Sequence, residues 1–336
     1  MIWIIAVFFG LVLIEVMAYF VYRNISFFMK RKNDIGTFSS RYFEDPFLGY
    51  SSNPDFKNIF GEKIHNKYGF RSGDDFTGLD GKKTVIYCAG DSSTYCNFIE
   101  RNSSTWPHML ECGLKDGGYE NGLKVINAAF GGWTSYQSLI RFSAWVDVLK
   151  PRLVIVYHGK TDFAPFINGD LGEDSVAPDY ANVMRSLVFD SFSKRLLFFS
   201  KFSYFGKVLY SRYLNTKYSN ILMYVYKMNK QKQLKEIKKG LERINHREWD
   251  FILSRYKNFA AICKDRKIPV LFVTQKMVSR LYGPYMEKLN REIRSLESPA
   301  DGCFVYDFGR ELKDDDGILF DDIHFTEYGA KVFVER

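Results

Sequence analysis

Cysteine is scarce in this sequence and forms no recognisable pattern. The five cysteines are scattered over 336 residues, without a Cys-x-x-Cys motif and without a set of cysteines and histidines at the spacing of a zinc site. An odd, scattered set argues against a disulfide framework and against a structural metal. We therefore expect no metal, and no motif in the chain calls for a cofactor.

Nucleic-acid motifs and internal repeats are also lacking. The net charge is +8, but lysine and arginine are interspersed with acidic residues, so we predict no binding of nucleic acid. The absence of a fixed repeat excludes solenoids and propellers. Hydrophobic residues make up 46% and charged residues 26%, values typical of a folded protein. Aromatic residues reach 17%. This excess indicates large apolar faces that could meet a membrane or an apolar substrate, or else it reflects an AT-rich genome alone.

The longest apolar run, residues 2–21, is interrupted only by Glu15. As a helix it would measure about 30 Å, the thickness of the hydrocarbon core of a bilayer, so we predict a single transmembrane anchor over residues 1–22. A cleaved signal peptide fits less well, because the basic residues follow the apolar run. Glu15 is costly in lipid, and we take it as a mark of contact with another membrane protein.

The side of the membrane is predicted from the charges that flank the anchor. Arg23, Lys30, Arg31 and Lys32 follow the apolar run, and no charged side chain precedes it. The positive-inside tendency then favours a cytoplasmic location for the rest of the chain.

The remainder of the sequence predicts a doubly wound parallel α/β sheet between two layers of helices. Short, nearly continuous apolar runs alternate with helical patterns such as Trp249 to Cys263, which is typical of strands covered on both faces. The predicted strands are Thr84 to Ala89, Lys124 to Ala128, Leu153 to Tyr157, Val270 to Thr274 and Cys303 to Asp307.

Two segments depart from this alternation. Residues 23–80 are predicted to be a juxtamembrane and wrapping segment without regular structure, ahead of a catalytic domain over residues 81–336. Residues 163–247 are predicted to be a helical insertion that ends in a lysine-rich helix at about 227–243. A covering layer is the favoured interpretation of this insertion, over a lid or a membrane contact.

One serine lies where a parallel strand passes into a helix. Ser92 follows the strand TVIYCAG, at the edge where open α/β sheets bind ligands. A serine nucleophile needs a general base, and His324 is the natural candidate. Asp321, three residues earlier, can turn back onto the imidazole, and it ranks ahead of the adjacent Asp322.

Four blocks of this sequence resemble the SGNH hydrolases of the GDSL type. The blocks are Gly90-Asp91-Ser92, Asn127-Ala128-Ala129-Phe130-Gly131-Gly132, Gly159-Lys160-Thr161-Asp162 and Asp321-x-x-His324. The resemblance implies a flavodoxin-like three-layer fold with Ser92 as nucleophile. It also implies an oxyanion hole formed by Ser92, Gly132 and the residue at position 161.

The third block departs from the family pattern, because Thr161 stands where the family has asparagine. A threonine hydroxyl can donate a hydrogen bond but is shorter, and one lost oxyanion donor costs about 10²–10³ in rate. Lys160 is considered as a compensating cation, while Asp91 and Asp162 are expected to support the loops around the site.

The resemblance predicts a serine hydrolase that acts through an acyl-enzyme on an O-acyl ester of a carbohydrate or lipid. Two alternatives stay open: transfer of the acyl group to a sugar hydroxyl by the same residues, and a degenerate member that only binds. Among the other candidates, His65 is predicted on a surface loop, His108 at a helix start and His246 on a solvated helix. Cys96 is interpreted as a small buried residue rather than as part of the site.

Overall fold

A computed structural model describes most of the predicted catalytic domain and part of what precedes it. The described residues are 10–20, 41–45, 47–54, 56–58, 61–76, 84–119, 122–168, 203, 205, 230–312 and 317–335.

The centre of the domain is a five-stranded parallel sheet. Its strands are β3 (Thr84–Gly90), β4 (Leu123–Asn127), β5 (Leu153–Tyr157), β6 (Val270–Val273) and β7 (Cys303–Tyr306). They lie in the order β4-β3-β5-β6-β7, and every neighbouring pair is parallel. The predicted parallel α/β sheet is confirmed, with each strand within one residue of its expected ends. The order reverses beside β3, where open sheets of this kind bind ligands.

Helices cover both faces of the sheet. The helices, in chain order, are α1 (residues 10–20), α2 (Ser92–Tyr95), α3 (Trp106–Asp116), α4 (Ser135–Leu149), α5 (Ala164–Asn168), α6 (Lys230–Glu242), α7 (His246–Asp265), α8 (Gly283–Arg294), α9 (Phe308–Glu311) and α10 (Glu327–Glu335). One apolar core joins α4, α7 and α8 to one face of the sheet, and a second core joins α3 and α10 to the other. Because each strand contributes alternate side chains to the two cores, both faces are apolar.

The wrapping segment contains an antiparallel hairpin that the sequence analysis did not predict. Its strands are β1 (Tyr42–Asp45) and β2 (Gly49–Ser52). Tyr50 is fully buried, its hydroxyl donates to the carbonyl of Gly131 at 3.2 Å, and its own carbonyl accepts from the Trp133 indole at 3.1 Å. The hairpin therefore holds the turn that follows β4.

The prediction for His65 is wrong, because its side chain is fully buried. Its Nδ1 donates to the carbonyl of Asn53 at 2.9 Å, and its Nε2 accepts from the Tyr95 hydroxyl at 2.8 Å. Burial lowers the pKa of His65 to about 3, although the bond to Asn53 acts in the opposite direction. The imidazole is thus a neutral connector between the wrapping segment and α2. As predicted, His108 lies at the start of a helix, His246 lies on a helix with its side chain exposed to solvent, and Cys96 is buried.

The N-terminal anchor and the insertion are described only in part. Among the described residues, no helix is both long enough and apolar enough to span a bilayer, so the transmembrane prediction is not confirmed. Residues 10–20 are helical, whereas residues 1–9 and 21–40 lie outside the described part of the chain. The predicted insertion begins with α5 and ends with α6. Most of residues 169–229, between these helices, likewise lies outside the described part of the chain.

Candidate active site

Ser92 is placed by a tight turn between β3 and α2. Asp91 precedes the helix, and its Oδ1 accepts the backbone N–H of Ser93 at 2.8 Å, which caps the first turn. Gly90 must lack a side chain, because a Cβ there would lie 2.0 Å from Thr94 Oγ1 and 2.6 Å from the carbonyl of Tyr157. Thr94 and the Tyr157 carbonyl therefore pack closely against the turn and fix Ser92 at the carboxyl edge of the sheet.

His324 and Asp321 arrive on the loop before α10. His324 Nε2 lies 2.6 Å from Ser92 Oγ, and His324 Nδ1 lies 2.7 Å from Asp321 Oδ2. The other oxygen of Asp321 accepts the backbone N–H groups of Ile323 and His324, both at 2.9 Å. Because the carboxylate can only accept, Nδ1 carries the proton and Nε2 is free to accept one from Ser92.

These contacts also set the charge of Asp321. Partial burial acts to raise its pKa, but the bond from the imidazole and the two backbone N–H groups outweigh burial and lower the pKa well below its ordinary value. The carboxyl group is therefore ionised at neutral pH and can stabilise an imidazolium. The Phe98 ring packs edge-on against the His324 ring, with 4.8 Å between centroids, and limits its rotation.

Thr161 does not point its proton at the place where an oxyanion would form. Its hydroxyl donates to Asp91 Oδ2 at 2.8 Å, and a hydroxyl has one proton to give. Asp91 thus accepts from α2 through one oxygen and from the third block through the other. In this geometry the Thr161 hydroxyl proton is engaged beside the nucleophile, and the oxyanion role of Thr161 stays a prediction.

Asp162 is fully buried and fastens the third block to its surroundings. One oxygen accepts from the backbone N–H and hydroxyl of Ser135 at 2.7 and 2.8 Å, and the other accepts from the Tyr256 hydroxyl at 2.7 Å. The Arg255 guanidinium lies 3.5 Å away and compensates the buried charge. The expected supporting role of Asp162 therefore takes the form of a link between α4, α7 and the loop after β5.

Gln275, just after β6, connects three of the four blocks of the site. Its side-chain oxygen accepts the backbone N–H of Lys160 at 2.8 Å, and its amide donates to Ser93 Oγ at 3.3 Å. Ser93 Oγ donates in turn to the carbonyl of Ile323 at 3.2 Å, next to His324. Gln275 was not predicted as a site residue, although a polar residue directly after a buried strand was the available signal.

The turn after β4 carries the predicted oxyanion donor, Gly132. Its φ is +81°, a conformation that favours glycine. The Asn97 side chain lies against this turn, since a Cβ on Gly131 would come within 3.2 Å of Asn97 Oδ1. Arg41 Nη1 donates to that oxygen at 3.2 Å, and because arginine can only donate, the amide orientation is fixed. Asn97 Nδ2 has no acceptor among the described residues.

A cleft of about 270 Å³ opens above these groups. Ser92, His324, Gly132 and Thr161 line it together with Asn97. The predicted site residues from the four blocks thus meet at one opening. The described residues contain no group of three or more histidine, cysteine, aspartate or glutamate side chains arranged to hold a metal ion.

The sequence profile of the GDSL-like lipase/acylhydrolase family matches residues 88–332, about three quarters of the chain. The chain belongs to this family. No curated protein matches it. As a GDSL-family member, the chain is an esterase- or lipase-like hydrolase, and the matched range contains all four blocks.

The chain is also similar to solved structures of esterases and lipases, at low sequence identity. An acetyl xylan esterase, AlAXEase, is 14% identical, with 75% of this chain and 96% of that chain covered at a TM-score of 0.44. A lipase/acylhydrolase from Enterococcus faecalis is 14% identical, with 75% and 92% covered at 0.41. A GDSL-like lipase from Bacteroides thetaiotaomicron is 14% identical, with 76% and 89% covered at 0.38.

Within the GDSL domain, two basic residues of the loop after β5, His158 and Lys160, face different directions. His158 is fully buried, and its Nε2 lies 2.8 Å from Ser138 Oγ, inside the domain rather than in the cleft. Burial lowers the pKa of His158, so the ring is neutral. Lys160 does line the cleft, and its Nζ lies 5.0 Å from the centre of the Tyr282 ring.

Proposed function

We propose that this GDSL-family protein hydrolyses O-acyl esters of a carbohydrate or lipid through an acyl-enzyme on Ser92. The observation that carries the proposal is the continuous chain of contacts from Ser92 Oγ to His324 Nε2 and from His324 Nδ1 to Asp321, at 2.6 and 2.7 Å. These distances allow proton transfer without a movement of the loops.

In the proposed reaction, His324 Nε2 takes the proton of Ser92 as Oγ attacks the ester carbonyl. The oxyanion accepts hydrogen bonds from the backbone N–H groups of Ser92 and Gly132 and from the free amide of Asn97. Asp321 stabilises the imidazolium, which then gives its proton to the departing alcohol. Water, deprotonated by His324, releases the acid and restores Ser92.

A fluorophosphonate probe tests this function, because the probe reacts only with an activated serine. We expect the wild-type protein to be labelled and Ser92→Ala to remain unlabelled, with both folded by circular dichroism. Ser93→Ala is the matched control and should still be labelled: Ser93 is the adjacent serine, but its hydroxyl bonds to the Ile323 carbonyl and the Gln275 amide and not to the His324 imidazole. Absence of labelling in folded wild-type protein would instead favour a degenerate, binding-only member.

The proposed membrane anchor over residues 2–21 is supported by the described part of that run. The apolar side chains of Leu11, Leu13 and Met17 are about 60% exposed on α1. Glu15, predicted to meet another membrane protein, instead accepts hydrogen bonds from the Ser203 hydroxyl and, at 3.4 Å, from the backbone N–H of Phe205. These bonds lie within the chain, and a contact of Glu15 with another membrane protein stays a prediction.

Cys112 gives a test of the anchor and of the side of the membrane, since it is exposed while the other four cysteines are buried. We expect cell fractionation to recover the protein with the membranes. On whole cells, we expect a membrane-impermeant maleimide to label Cys112 only after the cells are permeabilised. Cys112→Ser should abolish that labelling. Labelling of intact cells would contradict the cytoplasmic location, and recovery in the soluble fraction would contradict the anchor.

A further inference from the structure

The ammonium group of Lys160 stands in the cleft without an acidic partner. Its Nζ lies 5.0 Å from the centre of the Tyr282 ring, and no carboxylate oxygen of the described residues lies within 4.0 Å of it. The backbone N–H of Lys160 is bonded to the fully buried Gln275, which fixes the origin of the side chain. A contact with an aromatic face stabilises a cation only weakly at such a partly exposed site, so an anion would bind the ammonium more strongly.

Apart from Asp322, the charged groups around the cleft have the same sign as Lys160 or are already paired. No aspartate or glutamate of the described chain is among the residues that line the cleft. The nearest acids each have a partner or lie beneath the surface: Asp321 is bonded to His324, and Asp91 and Asp162 are fully buried. Asp322 does not line the cleft, but its negative charge acts on the Tyr282 hydroxyl. Burial and this charge together raise the pKa of Tyr282 to about 12. Tyr282 therefore keeps its proton and remains a donor.

We propose that the cleft selects esters that carry a negatively charged group, such as a carboxylate, sulfate or phosphate, which binds between Lys160 Nζ and the Tyr282 hydroxyl. The inference rests on the proposed function and narrows its substrate. Lys160 is one residue before Thr161, whose hydroxyl is bonded to the cap of the nucleophile helix. The anion therefore sits close to the ester, on either its acyl or its alcohol side.

Two pairs of test esters separate these sides. On the acyl side, 4-nitrophenyl hemisuccinate is compared with 4-nitrophenyl butyrate; on the alcohol side, 4-carboxyphenyl acetate is compared with its methyl ester. The readout is the ratio of kcat/KM for the anionic ester to that for the neutral ester. The intrinsic reactivity of each ester cancels when the same ratio is compared between variants.

We expect Lys160→Met to lower the ratio about tenfold in at least one pair, as for the loss of a partly screened ion pair, and Lys160→Arg to preserve most of it. Added salt should reduce the wild-type ratio. Lys288→Met is the matched control, because Lys288 also lies over an aromatic ring, 4.1 Å from the centre of Trp249, but does not line the cleft. Its ratio should equal that of the wild type.

Three results overturn the inference while the proposed function stands. In the first, both esters of each pair are hydrolysed and Lys160→Met leaves the ratios unchanged. In the second, Lys288→Met lowers a ratio as much as Lys160→Met, which would trace the effect to net charge. In the third, Lys160→Arg lowers the ratio of anionic to neutral kcat/KM as much as Lys160→Met does. If the wild type hydrolyses no ester and takes no fluorophosphonate label, the proposed function itself fails.

Discussion

Asp321→Asn should lower kcat for ester hydrolysis about 10⁴-fold with little change in KM. The asparagine oxygen can keep the bonds from the backbone N–H groups of Ile323 and His324, so the loop should hold its shape. Its NH₂ group then faces His324 Nδ1, which is forced to accept rather than donate. The proton moves to Nε2, and the imidazole can no longer take the proton of Ser92. Steady-state kinetics on a 4-nitrophenyl ester measure the loss.

Asp322→Asn is the control for this prediction, because it removes a neighbouring carboxylate with no bond to the imidazole. We expect it to change kcat by no more than a few-fold. A larger loss in Asp322→Asn than in Asp321→Asn would contradict the assignment of the acid.

The lowered pKa of Asp321 also has a pH consequence. Its ionised form stabilises the fold above about pH 4, the ordinary range of a carboxyl group, and this stabilisation is lost as the pH falls through the lower folded-state value. Asp321 is therefore expected to stay ionised, and to keep its bonds to the loop, at every pH above about 4.

The strands and the order of the site blocks could be predicted because both depend on local pattern. Near-continuous apolar runs such as Leu153–Tyr157 mark buried parallel strands. Parallel strands end at one edge, so residues that directly follow β3 and β5, such as Ser92 and Lys160, must come close together. The triad needed one further step: the chemical need of a serine nucleophile for a base paired Ser92 with His324 across more than 200 residues, and the family resemblance then supported that pairing.

The parts that were missed depend on complementarity between distant residues. The helix around Trp249 to Cys263 was predicted, but Arg255 on its buried face is explained only by Asp162, which is distant in sequence. His65 looked like a surface residue because its two partners, Asn53 and Tyr95, are recognisable only once the chain has folded. Periodicity alone cannot indicate such pairs, since a buried polar side chain breaks the apolar pattern and its partner lies elsewhere in the chain.

The second large effect concerns the gap that Thr161 leaves in the oxyanion hole. Asn97→Ala should lower kcat by about 10²–10³, the usual loss for one oxyanion donor, with a much smaller change in KM. Arg41 donates to the amide oxygen of Asn97, so the NH₂ group of this cleft-lining residue is left without an acceptor among the described residues and can serve as a donor. Asn97→Asp should be at least as damaging, because it replaces that donor with a negative charge.

Two comparisons distinguish an oxyanion donor from a residue that only shapes the turn. Binding of a trifluoromethyl ketone, which forms a tetrahedral adduct with the serine, should weaken in Asn97→Ala by about the same factor as kcat. Binding of an uncharged substrate analogue without a reactive carbonyl should barely change. Thr161→Val should weaken the adduct less than Asn97→Ala, because the threonine proton is already given to Asp91. If Thr161→Val causes the larger loss, the oxyanion contact belongs to Thr161 after all, and Asn97 serves only to fill the space beside Gly131.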